Sequence, residues 1–412
     1  MTNGPVAAAD RVQELDVLRG IALYGVFVMN MVFFGNEGIL ATEQQLLSLP
    51  TAGLDYAVRE VVGWLMADKA NTLFAFLFGL GFYLQMQRAE AAGRDFERLY
   101  RRRLSVLLAF GLIHTFFIFF WDILAIYALA GFLLFALRGA SNRVLLVGGL
   151  ALALVARTVF ELLAEYGGLG EWAGLPSAYA DKAVLLRQEL ALAGDYPGLV
   201  RAFAGVTLYE TLNGVILGWI LYALGRFMVG AWVGRKGWLQ RAGDYLPGFR
   251  RVMAVALPVG LVSEGLIAII RVYDPGGRLP DRDYWPVVVE VGHLVTSPIL
   301  ATGYLCAIVV GLHTPAWRRW LTPFRHVGRM ALSNYVIQSV ICGFVFFGIG
   351  PGLALAGRVG TTALLLGVTA AFAGQVLLSR WWLARFRYGP LEWAWRGLTY
   401  REWPAFRHSR RA

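Results

Sequence analysis

The sequence predicts an all-α fold, a polytopic membrane helix bundle of about ten transmembrane helices with both termini cytoplasmic. Three observations predict it. Hydrophobic residues make up 58% of the 412 and charged residues only 16%, with a mean hydropathy of +0.56, which leaves too few polar groups to coat a soluble globule of this length. Apolar runs of helix length recur from end to end, without the short alternating pattern of a barrel. Most of the 38 bases lie in short segments on one side of those runs, and most acids lie on the other side or within them. That asymmetry is the positive-inside pattern and sets the orientation. It also explains the formal net charge of +11 as a topology signal and removes nucleic acid from the expected partners.

The spans are read at 17–35, 70–87, 104–120, 123–137, 144–162, 204–229, 252–270, 287–311, 327–349 and 359–380. They form a single transmembrane domain: a six-helix core over 17–229 with the candidate site, then a four-helix part and basic amphipathic tail over 230–412. No small-residue cleavage site follows the first run, so it reads as a retained helix. Outer residues 36–69 hold an amphipathic stretch (Leu54, Val58, Val61, Val62, Leu65) expected to lie on the outer interface. Outer residues 163–203, with Trp172, Tyr179 and Tyr196, are expected to carry a short helix. On the inner side, 313–326 mixes Trp317, Trp320 and Phe324 with Arg318, Arg319 and Arg325 and reads as an interfacial segment, and the tail from Trp381 onward is expected along the inner leaflet. Cys306 and Cys342 lie in apolar runs and suggest neither a disulfide framework nor a metal site.

Polar groups inside spans are costly and mark candidate sites. "LDVLRGIALYGVFVMN" opens the first span with Asp16 and Arg19, three apart and able to pair, and closes on Asn30. Asn30 is eleven residues past Arg19, so the two share a helix face about 16 Å apart. The bland alternative is that Arg19 only snorkels to the inner headgroups. In "GLIHTFFIFFWDILAIYALAG", His114 lies about mid-membrane in the third span, and Asp122 and Tyr127 follow on the return helix, where either can come back toward it. A neutral histidine there must hydrogen-bond something, as general base or as an interhelical link. Asp68 and Lys69 start the second span; Tyr209, Glu210 and Asn213 lie near the outer end of the sixth; Glu264, His293 and Ser297 follow; Asn334 and Gln338 form an i, i+4 amide pair. Most of these read as packing groups, with Glu210 raised as a carboxylate able to orient an imidazole or an acceptor.

The opening stretch, "NTLFAFLFGLGF", "RRRL…GLIH…DILAIYALAG", "GRMALSNYVIQS" and "SRWWLARFRYGPLEWAWRGLTY" together resemble the YeiB-like family, whose C-terminal half is known as domain of unknown function 418. The resemblance runs nearly the whole chain in order, and the last two motifs are specific. That family is grouped with transmembrane acyltransferases, the acyltransferase-3 O-acetylases and the heparan-α-glucosaminide N-acetyltransferase relatives. The resemblance implies a cytoplasmic acyl-CoA donor, acetyl-CoA first, a passage through the bundle, and a hydroxyl or amine acceptor on the far side, in a bacterial cytoplasmic membrane. The donor phosphates would meet Arg19 with Arg101, Arg102, Arg103 and Arg329. His114 would take the acceptor's proton with Asp122 fixing its tautomer, and Asn30 or Asn334 would donate to the oxyanion; an acyl-histidine is the other arrangement. Asp68, Tyr127, Glu210, Asn334 and Gln338 are the polar groups left to face the acceptor. The chain departs from both relatives. Where acyltransferase-3 members carry a histidine eleven residues after the first-span arginine, Asn30 stands here, and 36–69 has no histidine to match the heparan-type base. A proton-coupled transporter or exporter using the same passage is the alternative function, and a non-catalytic scaffold or sensor the third. Partners are the bilayer and a small-molecule, lipid or glycan acceptor, with a homodimer left open.

Overall fold

A computed structural model describes residues 12–34, 39–93, 95–120, 122–166, 179–273 and 285–408. Trp172 lies outside the described residues. The described chain is helical throughout, and its one β contact is an isolated bridge between Phe386 and Arg407. Six helical stretches are long and apolar enough to cross a membrane: Gln13–Phe33, Ala52–Ala91, Val215–Lys236, Leu246–Val272, Val291–Leu312 and Thr361–Leu383. Ile123–Ala136, Val144–Phe160 and Ala331–Phe346 are shorter and equally apolar.

Helix α1 (Gln13–Met29) runs on into a π-helical turn at Asn30–Phe34. After the short α2 (Glu43–Leu47), closed by a Thr42/Gln45 capping box, come α3 (Ala52–Met66) and α4 (Lys69–Ala91). Asp68 makes the corner between them with φ of 59°, a left-handed conformation uncommon outside glycine. The expectation that α3 lies across the outer interface is not met. Tyr56 donates to the Arg271 carbonyl and Trp64 Nε1 to the Leu261 carbonyl, so α3 runs antiparallel alongside α11 (Leu246–Tyr273). Its tyrosine and tryptophan find their polar partners on that neighbour.

Side-chain caps set the starts of three more helices. Asp95 accepts from Arg98 N at the head of α5 (Phe96–Phe117), Asp122 from Ala125 N at α6 (Ile123–Ala136), and Asp195 from Gly198 N at α9 (Tyr196–Leu212). A second π turn, Val144–Gly148, precedes α7 (Gly149–Tyr166), and α8 (Tyr179–Ala193) supplies the helix expected in the outer segment. The expected span at 204–229 is broken. Asn213 ends α9, and Gly214, at φ +76°, starts α10 (Val215–Lys236). The break falls on an Asn-Gly pair, a turn signal in its own right. Proline lies inside both α11 (Pro258) and α12 (Trp285–Leu312, Pro298). The expected span at 327–349 also breaks, between α14 (Phe324–Arg329) and α15 (Ala331–Phe346), after the interfacial α13 (Pro315–Leu321) with its exposed Trp317 and Trp320. Helix α16 (Thr361–Leu383) and the tail helix α17 (Pro390–Tyr400) complete the chain.

One apolar core joins Phe27 and Leu23 of α1 to Leu107, Leu124, Tyr335 and Phe372, so N- and C-terminal parts share it. A second lies among α4, α5, α6 and α10 around Phe82, Tyr100 and Phe227. Helices α4 and α10 cross closely because each offers a glycine: a Cβ on Gly79 would sit 2.0 Å from the Phe227 carbonyl oxygen, and one on Gly230 2.1 Å from that of Phe76. With no water between helices in lipid, such backbone contact supplies much of the packing attraction. Gly230→Val is therefore expected to lower the thermal midpoint in detergent, costing about 2 kcal/mol or more. Gly367→Ala, where an added Cβ meets nothing within 4 Å, is expected to leave the midpoint unchanged or slightly raised.

Candidate functional site

The site begins where α5 turns into α6. Gly111 and His114 occupy one face of α5, three residues apart. A Cβ at Gly111 would lie 2.3 Å from Ala125 N and 2.8 Å from Asp122 Oδ2, so its absence lets the start of α6 press against α5. That places Asp122 Oδ1 3.1 Å from His114 Nδ1, both side chains 1% exposed. The contact lies off the line of a hydrogen bond, and neither His114 nitrogen has a hydrogen-bond partner among the described residues. Asp122 Oδ2 caps Ala125 N at 2.6 Å, and its Oδ1 accepts from the Tyr335 hydroxyl at 3.3 Å. The same hydroxyl accepts from Ile123 N at 3.2 Å, and the Tyr335 ring packs 5.1 Å from that of His114.

Asp122 and Tyr335 line a cavity of about 80 Å³ with Asn30, Asp68, Asn71, Tyr127, Tyr222 and Arg226. Four residues singled out in the sequence, Asn30, Asp68, Asp122 and Tyr127, thus meet on one wall. His114 stands behind Asp122 and not on that wall, which reverses the expected order of the pair. Tyr127 donates to Asn71 Oδ1 at 2.9 Å and does not engage His114.

Tyr127 and Tyr335 also line a second chamber of about 290 Å³, so the two chambers abut there. Its wall carries Arg19, Arg88, Arg103, Arg329, Arg387 and Arg396. Arg19 pairs with Asp16 at 3.2 Å, as the i, i+3 spacing predicts. The tail supplies part of this chamber and does not simply follow the leaflet. The Arg103 guanidinium sits 3.6 Å over the Trp395 ring, Trp395 Nε1 donates to the Arg103 carbonyl, and Glu392 accepts from Leu332 N and Ser333 N at the start of α15. Burial pushes the Glu392 carboxyl above the usual carboxylate range. A larger cleft, about 790 Å³ and lined by Arg318, Arg319, Arg325 and Arg380, lies on the other side of the start of α1.

Behind Asp68 lies a network that sequence reasoning saw only as scattered residues. Asp68 Oδ2 accepts from Arg157 at 2.9 Å and lies 3.2 Å from His293 Nε2. His293 Nδ1 lies 2.9 Å from Glu264 Oε2, which also takes Lys69 Nζ at 2.5 Å, and Thr296 donates to Glu264 Oε1. No local spacing signals this, since the pairs are 29 to 225 residues apart.

Several expected site residues lie elsewhere. Arg101 is exposed and Arg102 donates to the Thr399 carbonyl, bracing the tail helix. Asn334 donates to Ser379 Oγ and Gln338 to Gln375 Oε1, so this amide pair ties α15 to α16 as interhelical packing. Glu210 is half-buried on α9 and lines neither chamber. Conversely Tyr335, Arg226, Arg88, Arg387 and Arg396 were not expected. For the tail arginines the signal was present, in the aromatic-basic run that also carries Trp395.

The family described as "Protein of unknown function (DUF418)" matches residues 233–402. The chain is similar to the Uncharacterized protein YxaH of Bacillus subtilis, 31% identical over 409 residues that cover 97% of this chain and 96% of that one. It is likewise similar to the Uncharacterized protein YeiB of Escherichia coli, 30% identical over 402 residues and covering 95% and 97%. An Uncharacterized 39.9 kDa protein in the amylase 3'region of Bacillus acidopullulyticus is 27% identical over 397 residues, 96% of each chain.

Removing one member of the buried network leaves a charge without its partner. Lys69→Met is expected to destabilise the protein by about 3 kcal/mol or more. Adding Glu264→Gln should recover part of the loss, measured as thermal midpoints of both variants in one detergent.

Proposed function

The chain belongs to the YeiB-like family, and we propose that it is an integral-membrane acyltransferase that moves an acyl group, acetyl first, from cytoplasmic acyl-CoA to an extracytoplasmic hydroxyl or amine. The observation that carries this reading is the pair of abutting chambers, one ringed by arginines and one holding two carboxylates, two carboxamides, an arginine and tyrosines. We read ten crossings of a bacterial cytoplasmic membrane: the six long apolar stretches, the three shorter ones and α5, whose inner end carries Arg101, Arg102 and Arg103. The basic short connections support cytoplasmic termini and an arginine chamber open to the cytoplasm.

The residues suit the donor. Six guanidinium groups match a nucleotide's phosphates, and Tyr388 and Trp395 line the same chamber beside the place its base would take. At about 290 Å³ the chamber lies near the small end of ligand pockets, which suits the narrow pantetheine arm with the nucleotide toward the mouth. The thioester carbonyl then reaches past Tyr127 and Tyr335 into the inner cavity. There the acceptor's oxygen or nitrogen bonds to the carbonyl carbon as the carbon–sulfur bond breaks. The acceptor's proton passes to Asp122, with His114 beside it, and from there to the departing thiolate, which leaves as the thiol. Asn30 Nδ2, buried without a partner, is placed to donate to the oxyanion.

The buried Lys69–Glu264–His293–Asp68–Arg157 network favours a second reading, proton-coupled transport, because intramembrane ionisable chains also serve as proton relays. Calorimetry on the purified full chain separates the two. Acetyl-CoA and desulfo-CoA are expected to bind, Arg19→Ala to weaken binding about tenfold or more, and Asp122→Asn to leave it intact. A folded, monodisperse protein that binds no acyl-CoA overturns acyl transfer and puts transport in front.

A further inference from the structure

Arg226 has no part in the proton path described above, yet it lines the inner cavity and is 4% exposed. Its Nε donates to Thr72 Oγ1 at 2.9 Å, and its Nη1 reaches the Ala153 and Tyr222 carbonyls only at 3.4 Å. Its Nη2 has no hydrogen bond among the described residues, and no carboxylate of those residues forms an ion pair with it. The guanidinium carbon lies 3.2 Å from the centroid of the Tyr222 ring, which supports it from one side.

The neighbouring carboxylates are all engaged. Glu264 holds Lys69, His293 and Thr296; Asp68 holds Arg157 and His293; Asp122 holds Ala125 N and Tyr335 with His114 beside it. A buried cation whose nearest carboxylate, Asp68, is already held by Arg157 and His293 is costly, so Arg226 is kept at a cost that a bound anion would relieve. Two neutral donors line the same cavity without partners: Asn30 Nδ2 on a residue 6% exposed, and the Tyr222 hydroxyl on one 1% exposed. One guanidinium edge and two neutral donors match a planar monoanion with two acceptor oxygens. A dianion such as phosphate fits poorly, because Asp68 and Asp122 share the cavity and would repel a second charge.

We propose that the inner cavity is a carboxylate subsite, in which Arg226 pairs with a carboxylate while the Tyr222 hydroxyl and the second Asn30 N–H, the one not given to the oxyanion, donate to it. At about 80 Å³ it admits a carboxylate with only a few further heavy atoms. The acceptor is then a small hydroxy or amino acid, or a larger molecule ending in one. Only the word acceptor rests on the acyl-transfer reading; the binding itself does not.

Glycolate is the minimal probe, and its neutral isostere glycolamide the control. Calorimetry of the detergent-purified full chain at fixed ionic strength is expected to detect glycolate and not glycolamide. Arg226→Gln should weaken glycolate about tenfold or more, and Arg226→Lys less, while acetyl-CoA affinity stays as in the wild type. Equal binding of glycolate and glycolamide, or tighter binding of inorganic phosphate than of glycolate, overturns the subsite. So does absence of glycolate binding to protein that binds acetyl-CoA. These wild-type comparisons need no variant to fold. Glycolate binding without acetyl-CoA binding would leave the subsite standing and remove acyl transfer alone.

Discussion

Asp68 sits at a corner where the backbone is left-handed, and the arrangement of four helices depends on what its carboxylate holds. Arg157 comes from α7 and His293 from α12. The far nitrogen of His293 meets Glu264 of α11, and Glu264 returns through Lys69 to the residue beside Asp68. Inside hydrocarbon there is no water to replace a missing partner, so each of these groups fixes the position of the next. A left-handed aspartate costs on the order of 1 kcal/mol, and the Arg157 guanidinium with the His293 imidazole beside it offsets that readily. The ring also explains why α3 stands along α11, since the corner is pinned at its lower end.

Asp122 shows how local structure orients a buried carboxylate. A carboxylate that starts a helix has its orientation set by backbone amides, and here Tyr335 adds a second restraint from α15. On the acyl-transfer reading, the group that faces the cavity needs little reorganisation to receive a proton. His114 lies behind it and outside the cavity. The glycine at Gly111 is what allows the approach, through contact of backbone with backbone.

Much of this was legible in the sequence where the physics is local. Apolar runs located the helices, the i, i+3 spacing paired Asp16 with Arg19, and the tight return between α5 and α6 put Asp122 beside His114. Arg19 and Asn30, on one helix face, do line the two successive chambers. What was not legible depended on tertiary contact. Nothing near His293 announces Asp68, 225 residues away. Asn334 and Gln338 have the composition of a site and the role of a hinge pin between α15 and α16. The three arginines at 101–103 look equivalent in one dimension, but helical rotation sends Arg103 to the chamber, Arg102 to the tail and Arg101 to the surface.

The tail's part in the arginine chamber has a consequence for biosynthesis. Arg387 and Arg396 follow α16 in the chain, and Trp395 must dock on Arg103, 292 residues before it. The bundle can be in the membrane while this chamber still lacks one wall. A chain halted after α16 would then be a membrane bundle with an incomplete chamber, completed only when α17 docks.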